Sequence, residues 1–288
     1  MLKYIRLLEI ELFSYCNRTC KWCPNRTINR KTTQCLDNKI FENLIQELKV
    51  ENFGGVLTFS RYNEPLSRID IFKEKLKYIR QHLPNTKLVT NTNGDFVNKE
   101  NLDGLEIDEL SIMDYDGLGI EKCKQRLLDL GAEIVEIKNS YILSKYNNMQ
   151  ILYCTNWIEN RVITDRGGFL AEYSREHRDY PCFEPKYFCA INYDGTVSPC
   201  CNFRNDIKQH QSYIIGDLHY STLQEILTSK KACSFRTKCI NGDFEEGSPC
   251  YYCENMGGRY TKENGGIMYA EEDRNIRSSK TKQPKITK

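Results

Sequence analysis

The sequence predicts an α/β protein: a partial, open barrel of six βα units, followed by a small C-terminal cysteine-rich domain. Strand-like and helix-like segments alternate over the first 155 residues, which indicates repeated βα units around a parallel sheet. Six units are too few for a closed eight-fold barrel. After residue 156 the composition changes, because eight of the 14 cysteines lie between Cys182 and Cys253 and long apolar runs become scarce.

The expected strands are the apolar and β-branched segments 5–13, 56–60, 86–91, 109–113, 133–137 and 150–154. Three helices are expected between them. Segment 37–50 has apolar residues at the helical period, segment 71–82 stops before Pro84, and segment 119–130 closes at Gly131. After them only a short helix at 221–228 is expected.

This pattern predicts four parts. A region with so little apolar sequence as the cysteine-rich part needs a metal or another staple to fold. The parts are a core barrel at 1–156, a connecting segment at 157–181, a cysteine-rich domain at 182–256 and a polar, basic, disordered tail at 257–288.

Composition and charge exclude several classes of function. The formal net charge of +2 gives no reason to expect nucleic acid or an acidic membrane as a partner. No apolar run approaches the roughly 20 residues of a membrane span. The first apolar segment contains Glu9 and Glu11 and is not followed by the small-residue cleavage site of a secretion signal. We therefore expect a cytoplasmic protein whose cysteines bind metal.

Cys16, Cys20 and Cys23 form a Cys-x3-Cys-x2-Cys run directly after the first strand. Three cysteines in one short loop can hold three irons of a cubane iron–sulfur cluster. The fourth iron is then open for a ligand that the protein does not supply, whereas a purely structural site would close with a fourth cysteine.

The first strand also carries two acidic residues. Alternation along 5–13 places Glu9 and Glu11 on the face that points into the barrel. An unpaired charge is unfavourable there. The two carboxylates are therefore expected either to bind a polar ligand or to form internal ion pairs.

The later cysteines predict a second metal site. Cys182 precedes Cys200 by 18 positions, and Cys250 and Cys253 form a Cys-x2-Cys pair. Residues 193–195, Tyr-Asp-Gly, predict a hairpin turn before Cys200. Four thiolates can complete a closed iron–sulfur cluster or a zinc knuckle, and the spacing alone does not choose between them. The remaining thiols are expected to be spare or packed in the core: Cys35, Cys123, Cys154, Cys189, Cys233 and Cys239.

Together these motifs resemble the SPASM/twitch branch of the radical S-adenosylmethionine (SAM) enzymes. The resemblance runs in order from about Met1 to Met256. It rests on LEIELFSYCNRTCKWCPN, FGGVLTFSRYNEPL, TNGDF, DRGGFL at 165–170, the Cys182/Cys200 pair and the final CYYC.

The resemblance implies two 4Fe–4S clusters. Cys16, Cys20 and Cys23 would hold the SAM-binding cluster, and the four later cysteines would hold an auxiliary cluster in preference to zinc. Glu64 would accept the ammonium group of SAM, Thr92 and Asn93 would contact its ribose, and Trp22 would shield the cluster, flank adenine or simply pack. The expected SAM contacts are Trp22, Tyr62, Asn63, Glu64, Thr92 and Asn93. Asn93-Gly94 alone is only a turn signal.

The resemblance also implies a reaction: removal of hydrogen from a hydroxyl-bearing carbon of a sugar or aminocyclitol, giving a ketone. The auxiliary cluster would accept the electron, and a flavodoxin- or ferredoxin-type protein would supply reducing power. Glu9, Tyr62 and Arg166 would face the substrate. Arginine is permanently charged, so Arg166 would hold the substrate oxygen, and Glu9 or Glu11 would accept the proton. A turn with a surface arginine is the alternative for Arg166.

Three other functions remain open from the sequence. Cys201 stands where the resemblance predicts a bulky aromatic residue, and as a hydrogen donor it would make the protein an epimerase. A peptide-modifying enzyme is disfavoured, because the chain enters its first strand at once and leaves no room for an N-terminal peptide-recognition domain. A zinc-stapled binding protein or electron carrier is the non-enzymatic alternative.

Overall fold

The computed structural model describes residues 1–155, 163–174, 177–178 and 180–253. In this part of the chain one mixed sheet of ten strands has the order β10-β9-β8-β1-β2-β3-β4-β7-β6-β5. The strands are β1 (Leu7–Ile10), β2 (Val56–Thr58), β3 (Lys87–Thr92), β4 (Glu109–Met113), β5 (Glu133–Lys138), β6 (Tyr141–Tyr146), β7 (Met149–Cys154), β8 (Phe188–Ile191), β9 (Thr196–Ser198) and β10 (Gly216–Asp217).

Six neighbouring strands, from β8 through β1 to β4 and β7, are parallel. Antiparallel strands continue the sheet on both sides. β9 and β10 follow β8 at one edge, whereas β6 and β5 follow β7 at the other edge. The sheet is therefore open, and the predicted α/β fold class is confirmed. Parallel strands end at one edge of a sheet, so the loops after β1, β2, β3 and β4 lie together there.

Seven α-helices lie in the described residues. They are α1 (Asn38–Val50), α2 (Ile69–His82), α3 (Lys99–Leu102), α4 (Ile120–Leu130), α5 (Glu184–Tyr187), α6 (Leu223–Thr228) and α7 (Lys230–Asn241). The carboxylate of Asp37 caps α1 by accepting hydrogen bonds from the backbone N–H groups of Lys39 and Ile40. Gly131 ends α4 with a left-handed φ of 83°. The helices bury Phe41 and Leu76 against the sheet in the main hydrophobic core.

The segment predicted as a fifth parallel strand is placed differently. β5 forms an antiparallel pair with β6, a strand that the sequence did not predict, and lies at the far edge of the sheet. Only Asn139 and Ser140 separate the two strands. A two-residue connection permits a hairpin but no crossover to a parallel strand.

The first strand is shorter than the predicted 5–13, since β1 ends at Ile10. Strict alternation over 5–13 would also place Phe13 on the inner face with Glu9. It instead packs in the main hydrophobic core and forms an isolated antiparallel bridge with Cys35. This bridge closes the base of the loop that carries Cys16, Cys20 and Cys23.

The cysteine-rich region is continuous with the core sheet. β8 pairs in parallel with β1, and the predicted hairpin returns from β8 to β9 through Gly195 at φ 81°. The predicted tail at 257–288 lies outside the described residues, as does the boundary at 156 and 157. In the described part of the chain no helix is both long and apolar enough to cross a membrane.

Candidate active site and metal centres

The loop with Cys16, Cys20 and Cys23 leaves the sheet after β1 and returns before α1. Backbone hydrogen bonds hold its two sides together, among them Leu36 N to Leu12 O at 2.9 Å and Cys16 N to Arg30 O at 3.3 Å. The backbone of Cys23 also donates to Cys20 O at 2.9 Å. All three thiols are partly exposed and close enough to interact electrostatically.

Side chains between the cysteines fasten this loop to the ends of β3 and β4. Arg18 donates to Asp95 at 2.5 and 2.7 Å and to Asp116 at 2.7 and 2.9 Å. Asn17 donates to Asp95 at 2.6 Å and accepts from the amide of Asn93 at 2.9 Å. The loop is therefore held at the edge where the parallel strands end.

The three thiols fit an iron–sulfur cluster by their chemistry. Burial raises the pKa of Cys16 to about 12 and that of Cys20 to about 11, so neither is a stable thiolate without a nearby cation. Binding to iron would supply the positive charge and release the protons. No group of three or more His, Cys, Asp or Glu side chains in the described residues is arranged to hold a single metal ion. A cubane cluster binds each cysteine through a different iron, so its thiolates need not converge on one point.

Glu64 lies beside this loop, after β2. Its buried carboxylate accepts hydrogen bonds from Thr92 Oγ1 at 2.6 Å, from Asn93 N at 2.8 Å and from Leu66 N at 3.2 Å. Burial nevertheless raises the pKa of Glu64 to about 7, and its charge interacts with Cys16. A buried acid next to the cluster loop suits a cationic ligand group, because a positive charge would restore its ionised form.

The other expected SAM contacts lie at the same edge. Thr92 and Asn93 contact Glu64 and thereby hold it in place, and their predicted contacts with a ribose stay a prediction. Asn63 accepts from Arg61 N at 2.9 Å. Trp22 is buried, and its ring lies 5.3 Å from that of Tyr115 between centroids.

Both acidic residues of the first strand form ion pairs. Glu9 Oε2 accepts from Arg61 Nη1 at 2.8 Å, and Glu11 Oε1 pairs with Arg30. Glu11 also accepts from the backbone of Tyr62 at 3.2 Å and of Tyr193 at 3.5 Å. Both of its oxygens are thus engaged, which supports the internal ion pair foreseen as its alternative.

Glu9 differs from Glu11 in one respect. Within the described residues its Oε1 has no hydrogen bond, and only Oε2 is held. Burial raises the pKa of Glu9 to about 7, although the charge of Arg61 acts in the opposite direction. Glu9 is therefore a carboxylate that can exchange a proton near neutral pH, with one oxygen available to do so.

Arg166 reaches the same region from the segment that follows residue 162. Its backbone has a left-handed φ of 52°, which is uncommon for a residue other than glycine. Its Nε is buried and has no hydrogen-bond partner among the described residues. The guanidinium interacts electrostatically with Tyr62, Cys23 and Cys201. Arg166 as a whole is partly buried, and its fully buried Nε distinguishes it from a surface arginine.

Two side chains enforce the turn at Arg166. Asp165 Oδ1 accepts from Gly167 N at 3.1 Å, and the ring of His210 lies 3.0 Å, through Nε2, from Gly167 O. His210 Nδ1 accepts from Arg204 N at 3.1 Å, so Nε2 carries the proton and donates to Gly167. Burial lowers the pKa of His210 to about 4. A Cβ at Gly167 would lie 2.9 Å from the His210 ring, so glycine is required there.

The later cysteines come together in the C-terminal region. Cys182, Cys200 and Cys253 are buried, and Cys250 is partly buried. Cys182 interacts electrostatically with Cys250 and Cys253, and Cys200 with Cys253. The guanidinium of Arg178 interacts with three of these thiols and donates to Cys253 O at 3.1 Å. Burial raises the pKa of Cys182 to about 12, and the charge of Arg178 only partly opposes this. Like the first set, these thiols therefore need the positive charge of bound iron to become thiolates, and four of them fit an iron–sulfur cluster.

Cys201 directly follows Cys200 of the C-terminal cysteine set. It is partly buried and packs against the small apolar cluster of Leu7, Phe188 and Ala190. Its carbonyl accepts from Tyr62 OH at 3.0 Å. Its thiol charge interacts with the guanidinium of Arg166, so the two side chains lie close together.

Sequence reasoning missed several residues that build this site. Arg61 donates hydrogen bonds to Glu9, to Asn192 and to the carbonyl oxygen of Phe203. Arg204, in the C-terminal region, donates to Asn25 Oδ1 at 2.7 Å. Asn202, His210 and Arg178 were also not predicted. The two acidic residues expected inside the barrel could have indicated buried arginines, but nothing in the sequence identifies which arginines pair with them.

Known proteins are similar to this chain in sequence and in fold. Residues 182–254 match the SPASM family, an iron–sulfur cluster-binding domain. The resemblance predicted from the sequence is confirmed. The chain is 25% identical over 257 residues to the S-adenosyl-L-methionine-dependent 2-deoxy-scyllo-inosamine dehydrogenase of Niallia circulans, which covers 88% of this chain and 94% of the relative.

Solved structures show the same fold. The crystal structure of BtrN in complex with AdoMet and 2-DOIA matches with a TM-score of 0.72 and 22% identity, over 93% of this chain and all of that one. BtrN in an open conformation matches less well, with a TM-score of 0.59, 20% identity and coverage of 89% and 98%. Native anSMEcpe with bound AdoMet matches with a TM-score of 0.50, 14% identity and coverage of 94% and 95%.

Proposed function

We propose that this protein is a radical SAM dehydrogenase that oxidises a hydroxyl-bearing carbon of a sugar or aminocyclitol to a ketone. One observation carries the proposal. The buried Nε of Arg166 has no hydrogen-bond partner among the described residues, and its guanidinium interacts electrostatically with Tyr62, Cys23 and Cys201. A donor left without a partner in a buried position indicates a bound oxygen.

The curated relative supports the class of enzyme. The enzyme type, the dependence on SAM and the iron–sulfur domain predicted from the sequence are confirmed by this likeness and by the SPASM match. When bound, SAM and the two clusters would supply the hydrogen-abstracting radical and an acceptor for the electron. The chain itself must bind the substrate, orient its C–H bond and remove the hydroxyl proton.

Arg166 binds the substrate oxygen in this proposal. Its Nε–H is free to donate, and its charge stabilises the oxygen as negative charge develops on it. The strained φ of 52° and the two hydrogen bonds on Gly167 fix the direction of the side chain. Arg166 does not act as a base, because a guanidinium remains protonated.

Glu9 accepts the hydroxyl proton. Its Oε1 has no hydrogen bond among the described residues, and its pKa of about 7 gives a substantial carboxylate fraction at neutral pH. Arg61 holds Oε2 and so fixes the orientation of the carboxyl group. The proton moves from the substrate hydroxyl to Glu9 Oε1, and the carbon becomes a carbonyl once it has also lost its hydrogen atom and one electron.

Tyr62 forms a wall of the pocket. Its hydroxyl is donated to Cys201 O, and its ring lies 5.4 Å from the Arg61 guanidinium and 5.2 Å from that of Arg204. Burial raises the pKa of Tyr62, so the phenol remains protonated at neutral pH.

An aminocyclitol is the proposed substrate because the relative is named for one. A flavodoxin- or ferredoxin-type reductant and a cytoplasmic location complete the proposal.

Cys201 provides the experiment that tests the reaction. Its proximity to Arg166 favours an epimerase as the second candidate, with the thiol returning a hydrogen atom to the substrate. The reconstituted enzyme should be incubated with SAM, dithionite and a panel of aminocyclitols, in ordinary and in heavy water. Dehydrogenation gives a product two mass units lighter than the substrate. Epimerisation gives a product of unchanged mass that gains one deuterium in heavy water.

The Cys201→Ala variant makes the test decisive. A dehydrogenase should keep most of its turnover in this variant, because it needs no hydrogen donor. The exposed thiol of Cys233 provides a matched control in Cys233→Ala. If the product gains deuterium, and Cys201→Ala abolishes this gain while Cys233→Ala preserves it, the protein is an epimerase and the proposal of a dehydrogenase is wrong.

A further inference from the structure

Asn202 contacts both sides of the C-terminal cysteine set. It follows Cys200 and Cys201 in the chain and is 3% exposed. Its backbone N–H donates to Cys200 Sγ at 3.5 Å, and its side-chain Nδ2 donates to Cys253 Sγ at 3.5 Å. One residue thus donates two hydrogen bonds to sulfurs that come from distant parts of the sequence.

The orientation of the Asn202 amide is determined by its neighbours. A thiolate sulfur can only accept, so the NH₂ end of the amide must face Cys253. The carbonyl end then faces Thr164, whose Oγ1 lies 3.3 Å from Asn202 Oδ1 and can donate to it. Thr164 is two residues from Arg166, so the same amide joins the cysteine set to the turn that holds Arg166.

Donors of this kind change the reduction potential of a cluster. Reduction adds negative charge, and part of that charge lies on the cysteine sulfurs. An N–H group directed at such a sulfur stabilises the reduced form more than the oxidised form, so the potential rises. The proposed dehydrogenase needs an acceptor for the electron of the substrate, and a higher potential makes a better acceptor.

We propose that Asn202 is a positioning residue that raises the reduction potential of the auxiliary cluster through its two N–H···S hydrogen bonds, and that Thr164 orients its amide. The inference rests on the proposed function for the presence of that cluster. It assigns to Asn202 and Thr164 an effect that is measurable without substrate and without turnover.

The experiment uses the full-length chain with the substitutions Cys16→Ala/Cys20→Ala/Cys23→Ala, so that only the auxiliary cluster titrates. In this background Asn202→Ala and Asn202→Leu remove the side-chain donor and leave the backbone N–H. We expect the one-electron reduction equilibrium to become about tenfold less favourable, a shift of about 59 mV to more negative potential. The cluster EPR signal, followed during a redox titration, gives the potential.

Asn205→Ala is the matched control. Asn205 lies three residues further along the same segment and accepts from Arg30 at 3.3 Å, and among the described residues it has no hydrogen bond to sulfur. Its potential should equal that of the parent. If both Asn202 variants also have the parent potential, the inference is wrong, while a reducible cluster in the parent leaves the proposed function standing.

Thr164→Val keeps the inference testable if the Asn202 variants fail to hold iron. This variant retains Asn202 and removes only the hydroxyl that orients its amide, so we expect a smaller shift in the same direction. No shift in Thr164→Val would then overturn the inference. A parent protein with no auxiliary iron would instead contradict the proposed function, so the two failures are distinguishable.

Discussion

The two cysteine sets are built in different ways. Cys16, Cys20 and Cys23 are partly exposed thiols on one loop, whereas the C-terminal thiols come from sequence positions as far apart as Cys182 and Cys253 and are mostly buried. The first set supplies only three thiols, so one iron of a cubane cluster would be open for a ligand that the protein does not supply. The second set is enclosed by Arg178 and Asn202. The first set is therefore suited to binding a ligand, and the second set is suited to holding a closed cluster.

The structural support follows the same division. Surface-accessible ion pairs of Arg18 with Asp95 and Asp116 fasten the first loop. Hydrogen bonds to sulfur and a buried guanidinium surround the second set. In the part of the chain that the structure describes, the Nε of Arg166 has no hydrogen-bond partner, and its guanidinium interacts with Cys23 of the first set and with Cys201, which follows Cys200 of the second. Substrate binding is therefore expected where the two regions meet, and variants in each region should have separable effects.

The largest expected effect is that of the triple variant Cys16→Ala/Cys20→Ala/Cys23→Ala. It should retain about half of the iron, because the second set shares no ligand with the first. It should lose all SAM cleavage. Iron analysis and deoxyadenosine measurement check this expectation. Deoxyadenosine from the triple variant would show that the assignment of the first set is wrong.

Loss of the Arg166 side chain should abolish product and leave both clusters and basal SAM cleavage intact. Arg166→Ala and Arg166→Gly separate function from fold, because glycine adopts the left-handed φ of 52° without strain. Arg166→Gly should therefore melt no lower than the parent and still make no product. Arg80→Ala is the control. Arg80 pairs with Asp108, which directly precedes β4 and therefore lies at the sheet edge opposite to the proposed site. If Arg166→Gly still forms product, Arg166 does not bind the substrate.

The pH dependence of product formation should follow Glu9. Its pKa is raised to about 7, and the proposed base is the deprotonated form. The rate should therefore fall about tenfold for each pH unit below about 7 and level off above it. Glu9→Gln should make no product at any pH while keeping its iron. A parent profile that is flat between pH 5.5 and pH 8 would contradict the role of Glu9 as base.

Glu64→Gln tests the ligand side of the first set. Removing the charge eliminates a contact to the SAM ammonium group worth about 1.5–3 kcal/mol, so SAM affinity should fall about tenfold or more. Binding is measured by the change in the cluster EPR spectrum on titration with SAM. Glu74→Gln, at an exposed carboxylate, should bind SAM like the parent. If Glu64→Gln and Glu74→Gln bind SAM with equal affinity, Glu64 does not bind the SAM ammonium group.

The smallest expected effect concerns acid stability through His210. Its pKa is lowered to about 4 in the folded protein, against about 6.5 for a free imidazole. Between these values the unfolded chain binds the proton and the folded chain does not. The free energy of unfolding should therefore fall as the pH drops from 6.5 to 4, by roughly 3 kcal/mol.

His210→Gln should remove this contribution, because glutamine does not titrate. Urea unfolding of the parent and the variant at pH 7 and at pH 4.5 measures the difference. His219→Gln, at an exposed imidazole, is the control and should keep the parent's pH dependence. If His210→Gln loses as much stability as the parent on acidification, His210 is not buried as a neutral ring.

Local sequence determined the parts of the site that lie within one segment. The Cys-x3-Cys-x2-Cys run, the turn before Cys200 and the Asp37 cap are short-range features, and a fixed spacing is enough to recognise them. The same holds for the alternation that predicted the open α/β sheet. It failed where periodicity is weak: α7 buries only Ala232, Arg236 and Cys239, and its remaining positions are mostly polar, so no helical pattern stands out.

Which distant residues meet in the site follows from the folded chain and cannot be read from the sequence. Glu9 and Glu11 look equivalent in the sequence, yet Arg30 and two backbone N–H groups occupy Glu11, while Arg61 holds only one oxygen of Glu9. Asn202 and His210 have no sequence signal, because their roles depend on sulfurs and carbonyls that folding brings to them. Hydrogen bonds and burial act at distances of a few ångströms in space, and spacing along the chain does not encode such distances for residues far apart in the sequence.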